Sequence, residues 1–295
     1  MPSPLDLGHA AVEGTAHMAK TDKTAPDKKP ETLGSMTRFL LGLALFAWIL
    51  RSLVVAPFSI PSGSMLPTMW IGDYLFVGKW PYGYSKYSFP LGIPPIEGRI
   101  LADDPERGDI VVFRPPGQED TDYVKRVIGL PGDRIELRDG VVVLNGTPIE
   151  RQRLGRDFAL PISPNSPCKV VEGGERFVQP GADGVDRCHY PAFRETLPSG
   201  RSYTVLDQRR ASIGDDRAPL TVPAGHYFLM GDNRDDSLDS RFPPAVGGVG
   251  LVPQQNLVGR ALGNFWSTDG SASWFLPWTW LTALRPGRIG VGYGD

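Results

Sequence analysis

Residues 39–50 carry no charge, and after Arg51 the apolar run resumes at Leu53-Val54-Val55-Ala56. A helix needs about 20 residues to cross the hydrocarbon core of a bilayer, so residues 36–56 qualify. Eleven Leu, Ile, Val or Phe residues lie in that stretch. Each favours insertion by roughly 0.5 kcal/mol, and Arg51, near the end, costs at most about 3 kcal/mol. A cleaved leader and a buried globular helix are the competing readings. Val54 and Ala56 have the spacing of a small-residue cleavage site, but Pro57 follows at once and restrains the extended chain a protease must grip. A retained anchor is therefore expected. Lys20, Lys23, Lys28 and Lys29 precede it, and no Lys or Arg falls between Arg51 and Lys79. This asymmetry predicts a cytoplasmic N-terminal tail and an exported body. The tail, residues 1–35, is polar without apolar periodicity and is expected to be disordered.

Past Ala56 the pattern changes to short apolar runs bounded by Gly, Pro and Asp. Runs at 74–77, 110–113 and 123–128 read as strands. The second stops at Pro115-Pro116 and the third at Gly129-Leu130-Pro131-Gly132-Asp133. Two further runs, 134–138 and 141–144, flank Asp139-Gly140, a two-residue hairpin signal. Residues 81–105 read as a loop rich in Pro, Gly and Tyr. Signals weaken from about 150 to 220, with a short strand near 203–206, and return at a buried-looking strand over 226–230. The expected fold is mostly β. An antiparallel β core (57–133 and 224–266) holds an inserted second β lobe (134–223), and one N-terminal transmembrane helix precedes it. A tail at 267–295 follows. Trp266, Trp274, Phe275, Trp278 and Trp280, with Arg285 and Arg288, give that end the composition of a membrane interface. A core-packing tail is the alternative.

Composition narrows the chemistry. A net charge of −2 argues against nucleic acid as a partner, and 35 Gly with 29 Pro fit a turn-rich β protein. Only His189 and His226 follow the apolar segment, so a Ser-His-Asp site has few candidates. The two cysteines, Cys168 and Cys188, lack Cys-x-x-Cys spacing, and no structural zinc site is expected. Whether they pair is open; a disulfide closing that loop would contribute roughly 3 kcal/mol.

Three stretches carry polar groups that could do chemistry. Pro61-Ser62-Gly63-Ser64-Met65-Leu66-Pro67-Thr68 sets two serines and a glycine between prolines. It reads as a constrained turn presenting a nucleophile, or as an ordinary Ser/Gly/Pro turn. In the strand at 123–128, Lys125 and Arg126 point to opposite faces. If the Lys125 face is buried, desolvation lowers its pKa, and a fall of roughly 3 units would make it a base near neutrality. A solvated basic pair on an edge strand is the other reading. The third stretch is Gly231-Asp232-Asn233-Arg234-Asp235-Asp236-Ser237-Leu238-Asp239-Ser240-Arg241. Its acids lack EF-hand spacing. An internal network is expected, with Asp239 paired to Arg241 or Arg234 and Ser237 or Ser240 bonded to a polar neighbour.

Together, PSGSMLPT after an apolar segment, YVKRVIGLPGD and GDNRDDSLDSR in that order, with GDYLFVGKW between the first two, resemble the bacterial type I signal peptidases (leader peptidases). The resemblance covers roughly residues 36–285. Asp236 departs from it, standing where asparagine is common, and some members have two transmembrane segments. The resemblance implies Ser64 as nucleophile, Lys125 as general base, and Ser62 as oxyanion donor beside the Ser64 N–H. It implies that Ser237 orients the lysine amine and that Asp239 and Arg241 form a supporting salt bridge. Phe58, Ile60, Met65, Met69, Tyr123 and Val124 match shallow apolar pockets that admit small residues before the cut. No cofactor or metal is implied. The implied partners are signal peptides of exported preproteins and the lipid bilayer, with the catalytic part on the outer (periplasmic) face of the bacterial inner membrane. Two alternatives are a Ser/Lys protease dedicated to one pilin or conjugation precursor and a non-catalytic membrane-tethered β-domain that binds envelope partners. The self-cleaving repressor proteases share the Ser/Lys pair but need no anchor.

Overall fold

The computed structural model describes residues 33–169, 177–209, 211–273 and 275–294. The expected disordered tail lies outside the described residues as far as residue 32, and so does Trp274. The chain divides into two units, Met1–Leu43 and Ala44–Asp295. Helix α1 (Leu33–Ile49) runs into a π-helical turn at Leu50–Val54. Together they span 22 residues, long and apolar enough to cross a membrane. The helix ends two residues earlier than the hydropathy pattern implies, because Val55 and Ala56 already belong to the first strand.

Seven antiparallel strands form the main sheet: β1 (Val55–Ser59), β2 (Asp73–Gly78), β3 (Ile110–Phe113), β4 (Tyr123–Gly129), β5 (His226–Met230), β6 (Val252–Pro253) and β7 (Leu257–Ser267). Their spatial order is β1-β2-β7-β3-β4-β5-β6. Strand β1 is an edge, which is why it tolerates Pro57 opposite Phe76. Strand β7, the longest among the described residues, gives no clear sequence signal. It sits between β2 and β3, and register shifts near Gly259, Gly263 and Asn264 break the alternation a sequence reading depends on. Apolar side chains from β2, β3 and β7 (Leu75, Val77, Ile110, Val112, Val258 and Ala261) pack in one cluster with Ile60, Met65 and Met69.

Residues 134–223 build smaller sheets. Arg134–Arg138 and Val141–Leu144 pair as a hairpin, continued by Thr147–Pro148 on one side and Arg217–Thr221 on the other. Asp139 and Gly140 both take positive φ, 48° and 76°, as a type I′ turn requires. Two three-stranded sheets follow, Glu150–Arg153 with Ala192–Thr196 and Ser202–Leu206, and Phe158–Pro161 with Asp186–Tyr190 and Val178–Pro180. Cys168 and Cys188 form a disulfide with Cα atoms 5.4 Å apart. A buried ion pair and a cation–π contact tie this region to the loop after β5 and to β4. Glu195 receives Arg234 through two bonds of 2.6 Å, and Tyr203 lies 4.2 Å from the Arg126 guanidinium. Removing Glu195 would leave the buried Arg234 charge without its partner.

The C-terminal segment divides its roles. Phe275, Trp278 and Leu281 are widely exposed around a short helix, Thr279–Thr282. Arg285 and Arg288, grouped by composition with a membrane-facing tail, instead turn inward. Arg285 donates to the Ile71 carbonyl at 2.8 Å, and Arg288 pairs with Asp73 and lies 4.8 Å from the Trp70 ring.

Candidate active site

The turn between β1 and β2 is held at both ends. Ile60 N–H donates to the Asp73 carbonyl and Gly72 N–H to the Ile60 carbonyl, each at 2.9 Å. Within it, Leu66 N–H bonds the Gly63 carbonyl at 3.0 Å and Met69 N–H the Met65 carbonyl at 2.9 Å. From across the cleft, Asn233 fixes the same turn: its backbone N–H donates to the Ser64 carbonyl at 3.1 Å and its Nδ2 to the Gly63 carbonyl at 3.1 Å. Backbone carbonyls on both sides of the Ser64 N–H are thus held, which fixes the direction of the Ser64 side chain.

Lys125 reaches that side chain from β4. Its Nζ donates to Ser64 Oγ at 2.7 Å and to the Val124 carbonyl at 2.9 Å. Lys125 is 4% exposed and Arg126 6%, so both faces of β4 are buried and the edge-strand reading fails. The two cations meet different surroundings. Arg126 is paired, with Nε to Asp232 Oδ1 at 2.8 Å and Nη2 to Oδ2 at 2.6 Å. Lys125 has no carboxylate within ion-pair distance among the described residues. Burial therefore dominates and lowers its pKa to about 8, against the upward pull of Asp239, Asp232 and Asp236.

The loop after β5 supports this pair. Asp239 Oδ1 accepts from Arg241 Nε at 2.9 Å, and its Oδ2 accepts from Arg241 Nη2 at 3.0 Å, Gly231 N–H at 2.9 Å and Ser237 Oγ at 2.8 Å. Burial raises the Asp239 pKa, but Arg241 and the other donors outweigh it and hold the carboxyl below its usual range. The partner of Asp239 is thus Arg241, while Arg234 serves Glu195. Ser237 commits its proton to Asp239 and keeps its lone pairs for a donor in the cleft. Ser240 Oγ accepts from Leu229 N–H at 2.9 Å, a bond that ties the loop to β5. Asp207, Asp215 and Asp235 bring carboxylate oxygens within 4.8 Å of one another. Arg151 pairs with Asp207, and backbone N–H groups of Gln208 and Ser212 bond Asp235 and Asp215.

Ser64, Lys125, Ser62 and Ser237 all line one open cleft of about 430 Å³. Of the six residues matched to apolar pockets, Phe58, Ile60, Tyr123 and Val124 line it as well. Met65 and Met69 are fully buried and pack in one cluster with Ile60, Leu75 and Val112, which do line the cleft. Leu75, Val112 and Leu238 line the cleft without having been singled out, although the alternation of the runs at 74–77 and 110–113 did offer a signal for the first two. Asp236 and Lys169, 3.9 Å apart, stand at its side.

Comparison with known proteins agrees over most of the chain. The family model described as "Signal peptidase, peptidase S26" matches residues 33–266. A signal peptidase I of Rickettsia typhi (strain ATCC VR-144 / Wilmington) is 40% identical over 257 residues, covering 84% of this chain and 83% of the relative. One from Rickettsia canadensis (strain McKiel) is 40% identical over 230 residues, 75% of this chain and 76% of the relative. Among solved structures, a signal peptidase I of Enterococcus faecalis V583 is similar at 28% identity over 54% of this chain and 97% of that one, with a TM-score of 0.27.

Proposed function

This chain belongs to the signal peptidase family, peptidase S26, and from that membership we propose that it removes signal peptides from exported preproteins with Ser64 as nucleophile and Lys125 as general base. The observation that carries the reading is the 2.7 Å contact between Lys125 Nζ and Ser64 Oγ at the buried end of a cleft. When Lys125 is neutral the roles in that contact reverse, and the hydroxyl donates to the amine. Lys125 then takes the Ser64 proton as Oγ attacks the scissile carbonyl. The Ser62 hydroxyl, on the exposed rim two residues away, and the Ser64 N–H are assigned to the oxyanion; one such donor is worth about 3–4 kcal/mol in a transition state. The ammonium returns its proton to the leaving amine. A water activated by the same amine hydrolyses the acyl-enzyme. Ser237 orients Lys125, and the Asp239–Arg241 pair fixes Ser237.

The substrate is read as an extended peptide. Residues Phe58, Ser59 and Ile60 at the end of the edge strand line the cleft, which suits β-augmentation. Phe58, Ile60, Tyr123 and Val124 would accept small side chains before the cut. With α1 inserted and the N-terminal tail cytoplasmic, the cleft would work at the outer surface of the membrane, where signal peptides end. To test this, the full-length chain in detergent is given a secretory preprotein, and new N-termini are sequenced. Wild type is expected to cut after a small residue, and Ser64→Ala to leave the precursor whole; cutting by Ser64→Ala at the wild-type rate would refute the assignment.

The active form has a neutral amine, so kcat/KM should rise with pH through about 8, the value to which burial lowers Lys125. Asp236 favours the ammonium, and its carboxylate lies over the nucleophile turn, where a Cβ added at Gly63 would meet Oδ2 at 3.2 Å. Asp236→Asn should therefore lower the Lys125 pKa and move the acid limb to lower pH. A limb that moves up would count against Lys125 as the titrating base, and one that stays in place would show that the Asp236 carboxylate does not act on it.

A further inference from the structure

A second, smaller pocket lies where the apolar helix meets the sheet. Arg51 stands in its last turn, and Lys79 follows β2, pinned there because its backbone N–H donates to the Val54 carbonyl at 3.0 Å. With Arg114, just past β3, they bring three cationic side chains to a pocket of about 60 Å³. That is room for a few waters or one compact oxyanion, and too little for a peptide. The only acid among its lining residues, Asp122, is already bonded by Arg114 Nε at 3.1 Å.

Lys79 is the unusual member. It is 3% exposed, yet it has neither a hydrogen-bond acceptor nor a carboxylate in ion-pair range among the described residues. Its Nζ lies over the Phe58 ring, 5.5 Å from the centroid. Burying an ammonium without a counter-ion is costly. Burial lowers the Lys79 pKa to about 8; Asp122 pulls it up, while Arg51, Arg114 and Arg99 push it further down. An anionic guest would face all three cations at once, supplying the counter-charge that Lys79 lacks and adding to the one Arg114 has in Asp122. Guanidinium groups suit phosphate oxygens in pairs, and an ammonium supplies a point charge.

We propose that the pocket between Arg51, Lys79 and Arg114 binds a phosphate group. Two sources fit its position. It opens beside the outer end of the apolar helix, at the depth where lipid phosphates lie if α1 spans a bilayer, and basic pockets of this kind hold lipid headgroups. Free phosphate offers the same chemistry. The site is separate from the Ser64–Lys125 contact, although Phe58 and Asp122 line both the pocket and the cleft.

The test uses the full-length chain in a neutral detergent, with thermal unfolding followed against two probes, inorganic phosphate and monomeric dihexanoyl phosphatidylglycerol, each compared with sodium chloride of equal ionic strength. At a probe concentration a hundredfold above its Kd, the wild-type Tm should rise by about 5 °C. A response to the lipid alone identifies a headgroup site, a response to phosphate alone a free-anion site, and a response to both a site that takes either. Lys79→Met should unfold no earlier than wild type without probe, having lost an unpaired buried charge, and should lose the response. Arg51→Gln, at an exposed position, should keep the fold and weaken probe binding about tenfold. If neither probe raises the wild-type Tm beyond chloride, or if both variants respond as wild type does, the pocket is a solvated cluster and the proposal fails.

Discussion

Lys125→Met should lower kcat about 10⁴-fold while leaving the fold as stable as before or more so. Methionine matches the lysine stem in length and keeps the packing on β4, where the residue is 4% exposed. What is lost is the amine 2.7 Å from Ser64 Oγ. A serine hydroxyl without a base is a weak nucleophile, and the residual rate would come from binding and oxyanion stabilisation alone. KM should change little, because the group lost is the amine on the reacting hydroxyl, while the apolar walls at Phe58, Ile60 and Tyr123 stay in place and methionine keeps an apolar stem at position 125 beside the Tyr123 ring. Stability should not suffer, since a desolvated cation without a carboxylate partner is removed and Asp239 keeps its bidentate Arg241. Paired measurements decide the matter. A variant that unfolds early and is inactive would speak for a structural lysine. A variant that folds and still cuts within tenfold of wild type would remove Lys125 from the chemistry.

Parts of this arrangement were legible before any coordinates. Strand β3 stood out because Gly108-Asp109 and Pro115-Pro116 bracket four apolar residues, and the hairpin at Asp139-Gly140 because a type I′ turn needs residues that accept positive φ. The Ser64, Lys125 and Ser237 stretches were legible as motifs, and the fold brings all three residues to one cleft. Long-range facts were harder to read. Alternation along β4 puts Lys125 and Arg126 on opposite faces but cannot tell that both faces are covered. Strand β7 hides because its glycines and bulges interrupt the period-2 pattern. The disulfide between Cys168 and Cys188 depends on how two segments of the inserted region meet, which spacing alone leaves open. Arg285 and Arg288 have interfacial company in sequence, and only their bonds to Ile71 and Asp73 reveal that they fasten the tail to the body.

Gly231→Ala should damage stability and catalysis together, although it adds a single methyl group. The residue follows β5 directly, and its φ is not in the left-handed region, so alanine can adopt its backbone conformation. Space is the obstacle. A Cβ there would lie 2.3 Å from Ser237 Oγ and 2.5 Å from the Ser64 backbone carbonyl. The Ser64 carbonyl cannot yield freely, because Asn233 N–H holds it at 3.1 Å, and Ser237 is fastened to Asp239 at 2.8 Å. Relief must come from moving the nucleophile turn away from the loop after β5. Overpacking of this kind costs about 1–3 kcal/mol of stability. Moving a reacting group by about 1 Å can cost roughly 10²-fold in rate. The expected result is thus a lowered Tm with a fall in kcat of about 10²-fold at temperatures where the variant is still folded. Gly155→Ala is the control, since a Cβ there meets nothing within 4 Å, and both quantities should stay at wild-type values. A Gly231→Ala protein with wild-type kcat would mean that the turn and the loop have slack between them, and that the Ser64–Lys125 geometry does not depend on their close fit.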